Sequence, residues 1–361
     1  MKRLGISIYP EHGSIDQIKV YLLKASQLGF KRVFTCLLSA EGEPEQVKLR
    51  YTEVCQYAKQ LGMEVIIDVA PSVFTKFEIQ YDDLSFFSDL GVSGIRLDEG
   101  FDGMKEAMMT YNPFNLKIEF NASQPSGYID NILSYQPNKE KVIVCHNYYP
   151  QRYTGLSYNL FNQLNQKFQE KNITIAAFIN SQAEDTFGPW PLKEGLCTLE
   201  IHRDLPLSLQ ARHMNATNQI DDVIIGNCFA SDDELKELAS LDPNVLTFKI
   251  MLEPNVSETE QDIIFNFPHF IRGDMSDYMA RSTMSRIVYA MSTITPNHTR
   301  DLKRGDIVVL NDLYGRYKGE LHIVLQPMPN EGNKNVVATL AQNELLLLNF
   351  VEPWKPFKLI K

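Results

Sequence analysis

Leu28-Gly29-Phe30, running on into Lys31-Arg32-Val33-Phe34-Thr35-Cys36-Leu37-Leu38, is the stretch on which the fold turns. Leucine then glycine at the end of an amphipathic run reads as a helix stop. The glycine takes the left-handed conformation that closes the last turn at little steric cost. The β-branched and aromatic residues that follow read as a buried strand. The signature recurs at Leu61-Gly62-Met63, ahead of Val65 to Val69, and at Leu90-Gly91-Val92, ahead of Ile95 to Leu97. The steps from Leu28 to Leu61 and from Leu61 to Leu90, 33 and 29 residues, each suit one strand–helix unit.

Working outward from these stops gives a series of such units. Ser14 with Gln17 three residues on is a capping-box pattern, and Ile15, Ile18, Leu22 and Leu23 behind it predict a buried helical stripe. Strands are predicted near 4–9, 32–38, 64–70, 94–99, 116–121, 142–148, 174–180 and 222–228, separated by helical patterns such as 157–170 and 232–241. Eight units of this kind predict an α/β fold, a (β/α)₈ TIM barrel, over residues 1–242. An open doubly wound sheet alternates in the same way. No GxGxxG or GxxxxGK[ST] follows any strand, however, so the usual nucleotide-binding fingerprints are absent. Residues 198–204 (TLEIHRD) read either as a ninth short strand or as part of an elaborated loop. Beyond residue 242 the pattern shifts to short β-like segments at 245–252, 307–310, 321–326, 335–340 and 345–350, predicting a β-rich second domain over 243–361.

Composition narrows the functional classes. A net charge of −10 over 361 residues disfavours nucleic acid as a partner, though not a local basic pocket for one small phosphate. The five cysteines form no CxxC or Cys/His metal spacing, so free thiols and no metal or other cofactor are expected. The first residues lack a signal-peptide apolar run, and no stretch is long enough to span a bilayer. A cytoplasmic protein without membrane contact is the expectation, with a homodimer left open.

Barrel enzymes carry their reactive groups at the C-terminal ends of the strands. Here those ends bear Glu11, Asp68, Asp98-Glu99, Glu119 with Asn121, Asn147-Tyr148, Asn180 and Asn227. Carboxylates, amides and a tyrosine arranged this way suit a polyhydroxylated ligand. Glycoside cleavage needs two carboxyl groups, or one carboxyl and a nucleophile supplied by the substrate. Asp98, Glu99 and Glu119 are the catalytic candidates. Glu11, Asp68, Asn121, Asn147, Tyr148, Asn180 and Asn227 are the candidates for substrate binding. The same carboxylates would also serve as helix caps or as ion-pair partners of Arg96 and Lys117. Helix 232–241 opens with Ser231-Asp232-Asp233-Glu234, which would repel a dianion. A phosphate is better matched by Arg272, Arg281 and Ser282, provided that segment folds back over the barrel mouth.

Five segments together carry a family resemblance: GISIYPE (5–11), GIRLDEGF (94–101), KIEFNAS (117–123), CHNYYPQRYTGLS (145–157) and RGDMSDYMARSTMSR (272–286). With them the chain resembles the 6-phospho-N-acetylmuramidases over essentially its whole length. The resemblance implies a barrel followed by a cyclophilin-like β domain. It also implies hydrolysis of the β-1,4 bond of N-acetylmuramic acid 6-phosphate–N-acetylglucosamine, a phosphorylated disaccharide from cell-wall recycling. The site residues above rest on strand-end position and not on the resemblance. If the substrate's acetamido group attacks the anomeric carbon, Asp98 would orient it and Glu99 would be the acid; otherwise one of them would act with Glu119. Two other functions compete: a sugar-phosphate isomerase or aldolase, for which Lys117 is the one strand lysine able to form a Schiff base, and a non-enzymatic sugar-phosphate sensor.

Overall fold

The computed structural model describes residues 2–361, in two compact units. One comprises residues up to Met214 and Asn218–Leu241, the other Asn215–Thr217 and Asp242–Lys361.

In the first unit eight parallel strands close into a barrel in sequence order. They are β1 (Arg3–Ile8), β2 (Arg32–Cys36), β3 (Glu64–Val69), β4 (Gly94–Leu97), β5 (Lys117–Asn121), β6 (Val142–Cys145), β7 (Thr174–Ile179) and β8 (Asp222–Ile225). The helices between them include α1 (Ile15–Gln27), α2 (Pro44–Gln60) and, after β8, α3 (Asp232–Ala239). The leucine–glycine stops behave as read: Gly29, Gly62 and Gly91 sit at φ of 88°, 71° and 85°, and each is followed by a barrel strand. Ser14 caps α1, its hydroxyl accepting from the Gln17 amide at 3.2 Å. The buried stripe of α1 is Ile18, Tyr21, Leu22 and Ala25, whereas Leu23 is exposed and Ile15 only partly covered. Ser231 and Glu234 form a capping box at the start of α3. Residues 198–204 hold a short 3₁₀ turn, Glu200–His202, inside the long connection after β7, so the elaborated-loop reading applies.

The barrel interior is charged at its lower end. Arg32 of β2 is fully buried and donates to Asp222 of β8 at 3.1 Å and to Glu119 of β5. Arg3 clamps Asp222 through both carboxylate oxygens, at 2.6 and 2.5 Å, and donates to Glu64 at 2.6 Å. Glycines in the strands make room for this layer: a β-carbon on Gly5 would stand 2.9 Å from the Arg32 β-carbon. Aliphatic and aromatic side chains fill the space between strands and helices.

The second unit is built on a mixed seven-stranded sheet. Its strands are β9 (Leu246–Leu252), β10 (His269–Phe270), β11 (Met279–Ser282), β12 (Asp306–Leu310), β13 (Leu321–Val324), β14 (Lys334–Leu340) and β15 (Pro356–Ile360), in the order β10-β15-β9-β14-β12-β13-β11. The apolar run near 345–350, expected as a strand, is 3₁₀-helical over Gln342–Phe350. It lacks the alternation that a half-buried strand would show: Leu347, Leu348 and Phe350 are all buried. Three strands fall outside the expected segments: the short β10 and β11, and β15, which pairs in parallel with β9.

Candidate functional site

Arg96 of β4 organises the C-terminal end of the barrel. Alternation along the strand aims it inward, where it is 2% exposed. One guanidinium nitrogen, Nη1, donates both to Asp68 of β3, at 2.6 Å, and to Asp98 just past β4, at 2.9 Å. The other, Nη2, donates to Asn147, which follows β6. Asn147 is itself fixed by its backbone: its amide donates to Ser123 at 2.8 Å and its carbonyl accepts from Thr198 at 2.9 Å.

These four residues line a cavity of about 150 Å³ together with Leu38, Tyr148, Phe178 and Trp190. Tyr148 and Phe178 meet edge to face at 5.1 Å, and both pack edge-on against Phe34. Polar groups and aromatic rings together match the two kinds of surface a pyranose presents.

Burial separates the two acids. Asp68 is 4% exposed, and desolvation pushes its carboxyl up to about 7 despite the opposing pull of Arg96. Its second oxygen has the Cys36 thiol near it at 4.0 Å. Asp98 stands at the mouth with its side chain 37% exposed.

The loop after β4 explains where Glu99 goes. Buried Glu106 accepts from the Gly103 amide at 2.6 Å and from the Phe101 amide and Tyr128 hydroxyl, drawing residues 98–103 into a tight turn. Gly100 is required there, because a β-carbon would fall 1.8 Å from the Tyr128 hydroxyl. Glu99 is left exposed on this turn and does not line the cavity.

Glu119 is 0% exposed and paired with Arg32 in the lower charged layer, so it too is absent from the cavity wall. It faces the barrel interior at the depth of a core residue, paired with Arg32 and apart from the residues that line the cavity. Lys117, the Schiff-base candidate, begins β5 and pairs with Glu64 at 2.5 Å, at the end of the strand away from the cavity.

The remaining candidates fall in three places. Asp68, Asn147 and Tyr148 join Asp98 around Arg96. Asn180 and Asn227 line a second cavity, of about 220 Å³, at the ends of β7 and β8. Glu11 and Asn121 line neither cavity. Glu11 accepts from Ser39 at 2.8 Å and Tyr51 at 2.6 Å, and Asn121 caps its own turn by accepting from the Ser123 amide at 2.9 Å.

In the second unit Arg272 and Arg281 both pair with Asp274, Arg281 at 3.3 Å. Ser282 is buried and hydrogen-bonded to His269 at 2.9 Å. Arg272 and Ser282 border a cavity of about 530 Å³ with apolar walls that include Phe267, Phe270 and Trp354.

Arg96, Leu38, Phe178 and Trp190 were not among the sequence candidates. Arg96 carries a usable signal, an arginine on a barrel strand two residues before an acid at the strand end; a tryptophan within a strand-end loop is another. Among the described residues no group of three or more His, Cys, Asp or Glu side chains is arranged to hold a metal ion, and no helix is long and apolar enough to cross a membrane.

Comparison with known proteins agrees over the whole chain. Residues 4–240 match the family described as 6-phospho-N-acetylmuramidase, N-terminal, and residues 246–360 match its C-terminal counterpart. The chain is 44% identical to an uncharacterised Bacillus cereus protein of known crystal structure, with 100% of each chain covered and a TM-score of 0.92. A conserved Enterococcus faecalis protein, 24% identical over 99% of this chain and 96% of its own, shares the fold with a TM-score of 0.76. No curated protein matches the chain. The chain belongs to the 6-phospho-N-acetylmuramidase family of glycosidases.

Proposed function

We propose that the chain hydrolyses the β-1,4 bond of N-acetylmuramic acid 6-phosphate–N-acetylglucosamine in cell-wall recycling, with Asp68 and Asp98 as its working carboxylates. The observation that carries this reading is that both accept from one guanidinium nitrogen, at 2.6 and 2.9 Å, on the floor and at the mouth of one cavity. Two bonds through a single nitrogen hold both carboxylates close enough to act on one glycosidic bond.

Asp68 is the acid. A carboxyl held near 7 is still substantially protonated at neutral pH and gives its proton to the glycosidic oxygen as the C–O bond breaks. The substrate's acetamido carbonyl attacks the anomeric carbon from the opposite face, and Asp98 accepts the amide N–H, orienting the group and offsetting the charge it gains. Water then opens the intermediate, returning a proton to Asp68. Arg96 holds both carboxylates in register, and Tyr148, Phe178 and Trp190 cover the apolar face of the ring. Within the second unit, Arg272 and Arg281, two guanidinium groups sharing one carboxylate, are the proposed ligands for a phosphate group.

The test is incubation with the phosphorylated and unphosphorylated disaccharides in ¹⁸O-water, read by mass spectrometry. Hydrolysis with one ¹⁸O in the released N-acetylmuramic acid 6-phosphate, much faster for the phosphorylated substrate, is expected. No cleavage, or a lysine adduct trapped by borohydride, would refute the reading.

A further inference from the structure

The second cavity, at the ends of β7 and β8, has no part in the chemistry assigned above. We propose that it is a subsite for an uncharged amino sugar, the one released from the far side of the scissile bond, with Asn180 as its central polar contact. This rests on the glycosidase reading and adds the place of the second ring.

Position comes first. The segment from Gly188 to Gly195 divides the two cavities: Trp190 borders the acidic one, while Gly188, Leu192 and Gly195 border the other. A disaccharide lying across that segment would put one ring on each side of it.

Charge selects the ligand. Arg152 donates to Asp204 at 2.7 and 2.8 Å, and Arg203 donates to Glu200 at 2.7 and 2.6 Å, so both guanidinium groups are already matched by carboxylates. Lys193 shares the rim with Glu184 and Glu194. A phosphate dianion would meet Glu184, Glu194 and Asp204, whereas a ring carrying hydroxyl and acetamido groups would find donors and acceptors in balance.

Asn180 supplies the specific contact. It is 2% exposed, its amide nitrogen donates to the Arg203 carbonyl at 3.2 Å, and its Oδ1 is buried with no hydrogen-bond partner. An orphaned buried acceptor calls for an O–H or N–H donor. Gly195, at φ 94°, lies over that oxygen; a β-carbon there would stand 3.2 Å from it. A small outward displacement of Gly195 admits the donor, and only glycine keeps both that backbone conformation and that approach.

The experiment compares wild type, Asn180→Ala and Gly195→Ala in two ways. Binding of free N-acetylglucosamine is followed by ligand-observed NMR titration. The kcat/KM for the phosphorylated disaccharide is divided by that for a nitrophenyl glycoside of the same phosphorylated sugar, which has no second ring. Asn180→Ala is expected to weaken N-acetylglucosamine roughly tenfold and to lower the ratio roughly tenfold, the loss of one well-placed hydrogen bond. Gly195→Ala, a loop change that tests the same approach should Asn180→Ala fold poorly, is expected to act in the same direction. Equal losses on both substrates, no loss on either, or no binding of N-acetylglucosamine to wild type would overturn the subsite. Asn180-dependent binding by a protein that hydrolyses neither substrate would instead overturn the glycosidase reading and leave the subsite standing.

Discussion

Replacing Glu119 by glutamine separates a core charge from a catalytic one. Glu119 and Arg32 are both 0% exposed and paired with each other, and Arg32 retains Asp222 at 3.1 Å if Glu119 is neutralised. Removing one partner of a buried ion pair typically costs about 3–5 kcal/mol, because the other charge stays buried. The surviving Asp222 contact, and the ability of the new amide oxygen to accept from Arg32, put Glu119→Gln at the low end, about 3 kcal/mol. At about 2–4 °C per kcal/mol for a domain of this size, the melting temperature should fall by about 6–12 °C. The assay pairs a thermal melt with kcat on the phosphorylated disaccharide, measured well below the transition. Turnover per folded molecule should stay within a few fold of wild type. An unchanged melt with kcat lower by a hundredfold or more would refute the reasoning, since Glu119 would then touch the substrate.

Three further outcomes follow from the site. Because the acid must be protonated to act and burial holds Asp68 near 7, kcat/KM should fall about tenfold per pH unit above that value. A profile flat to pH 9 would deny Asp68 the role. Trp190→Ala removes an aromatic wall of the acidic cavity and should raise KM several-fold with little change in kcat, as steady-state kinetics will read. Arg272→Ala and Arg281→Ala should each weaken the binding of inorganic phosphate in a calorimetric titration, and unchanged binding would remove these residues from the phosphate proposal.

The barrel was legible because its punctuation is local. Gly29, Gly62 and Gly91 stop helices through a backbone conformation that other residues avoid, and Ser14 and Ser231 start them by satisfying amides no helix can satisfy internally. Strand alternation puts Arg96 and Glu119 on inward faces. It says nothing of depth, and depth is what puts Glu119 in a core layer while Asp68 reaches a cavity. Strand-end position likewise cannot tell one cavity from two. Asn180 and Asn227 were grouped with Asp98, but the loop carrying Trp190 divides them, and that loop has no periodic pattern to read. In the second unit the leucines of 345–350 satisfy a strand's composition without its alternation, and they form 3₁₀ turns instead.

The claim that Asp68 and Asp98 share one glycosidic bond is tested most directly by kcat/KM for Asp68→Asn and Asp98→Asn, beside Glu99→Gln, on the phosphorylated disaccharide and on its activated nitrophenyl counterpart. Both aspartate variants should lose roughly 10²–10⁴-fold on the disaccharide. Asp68→Asn alone should recover much of that loss with the activated leaving group, which needs no proton, and Glu99→Gln should remain near wild type. Near-normal turnover by either aspartate variant, or a collapse confined to Glu99→Gln, would contradict the assignment.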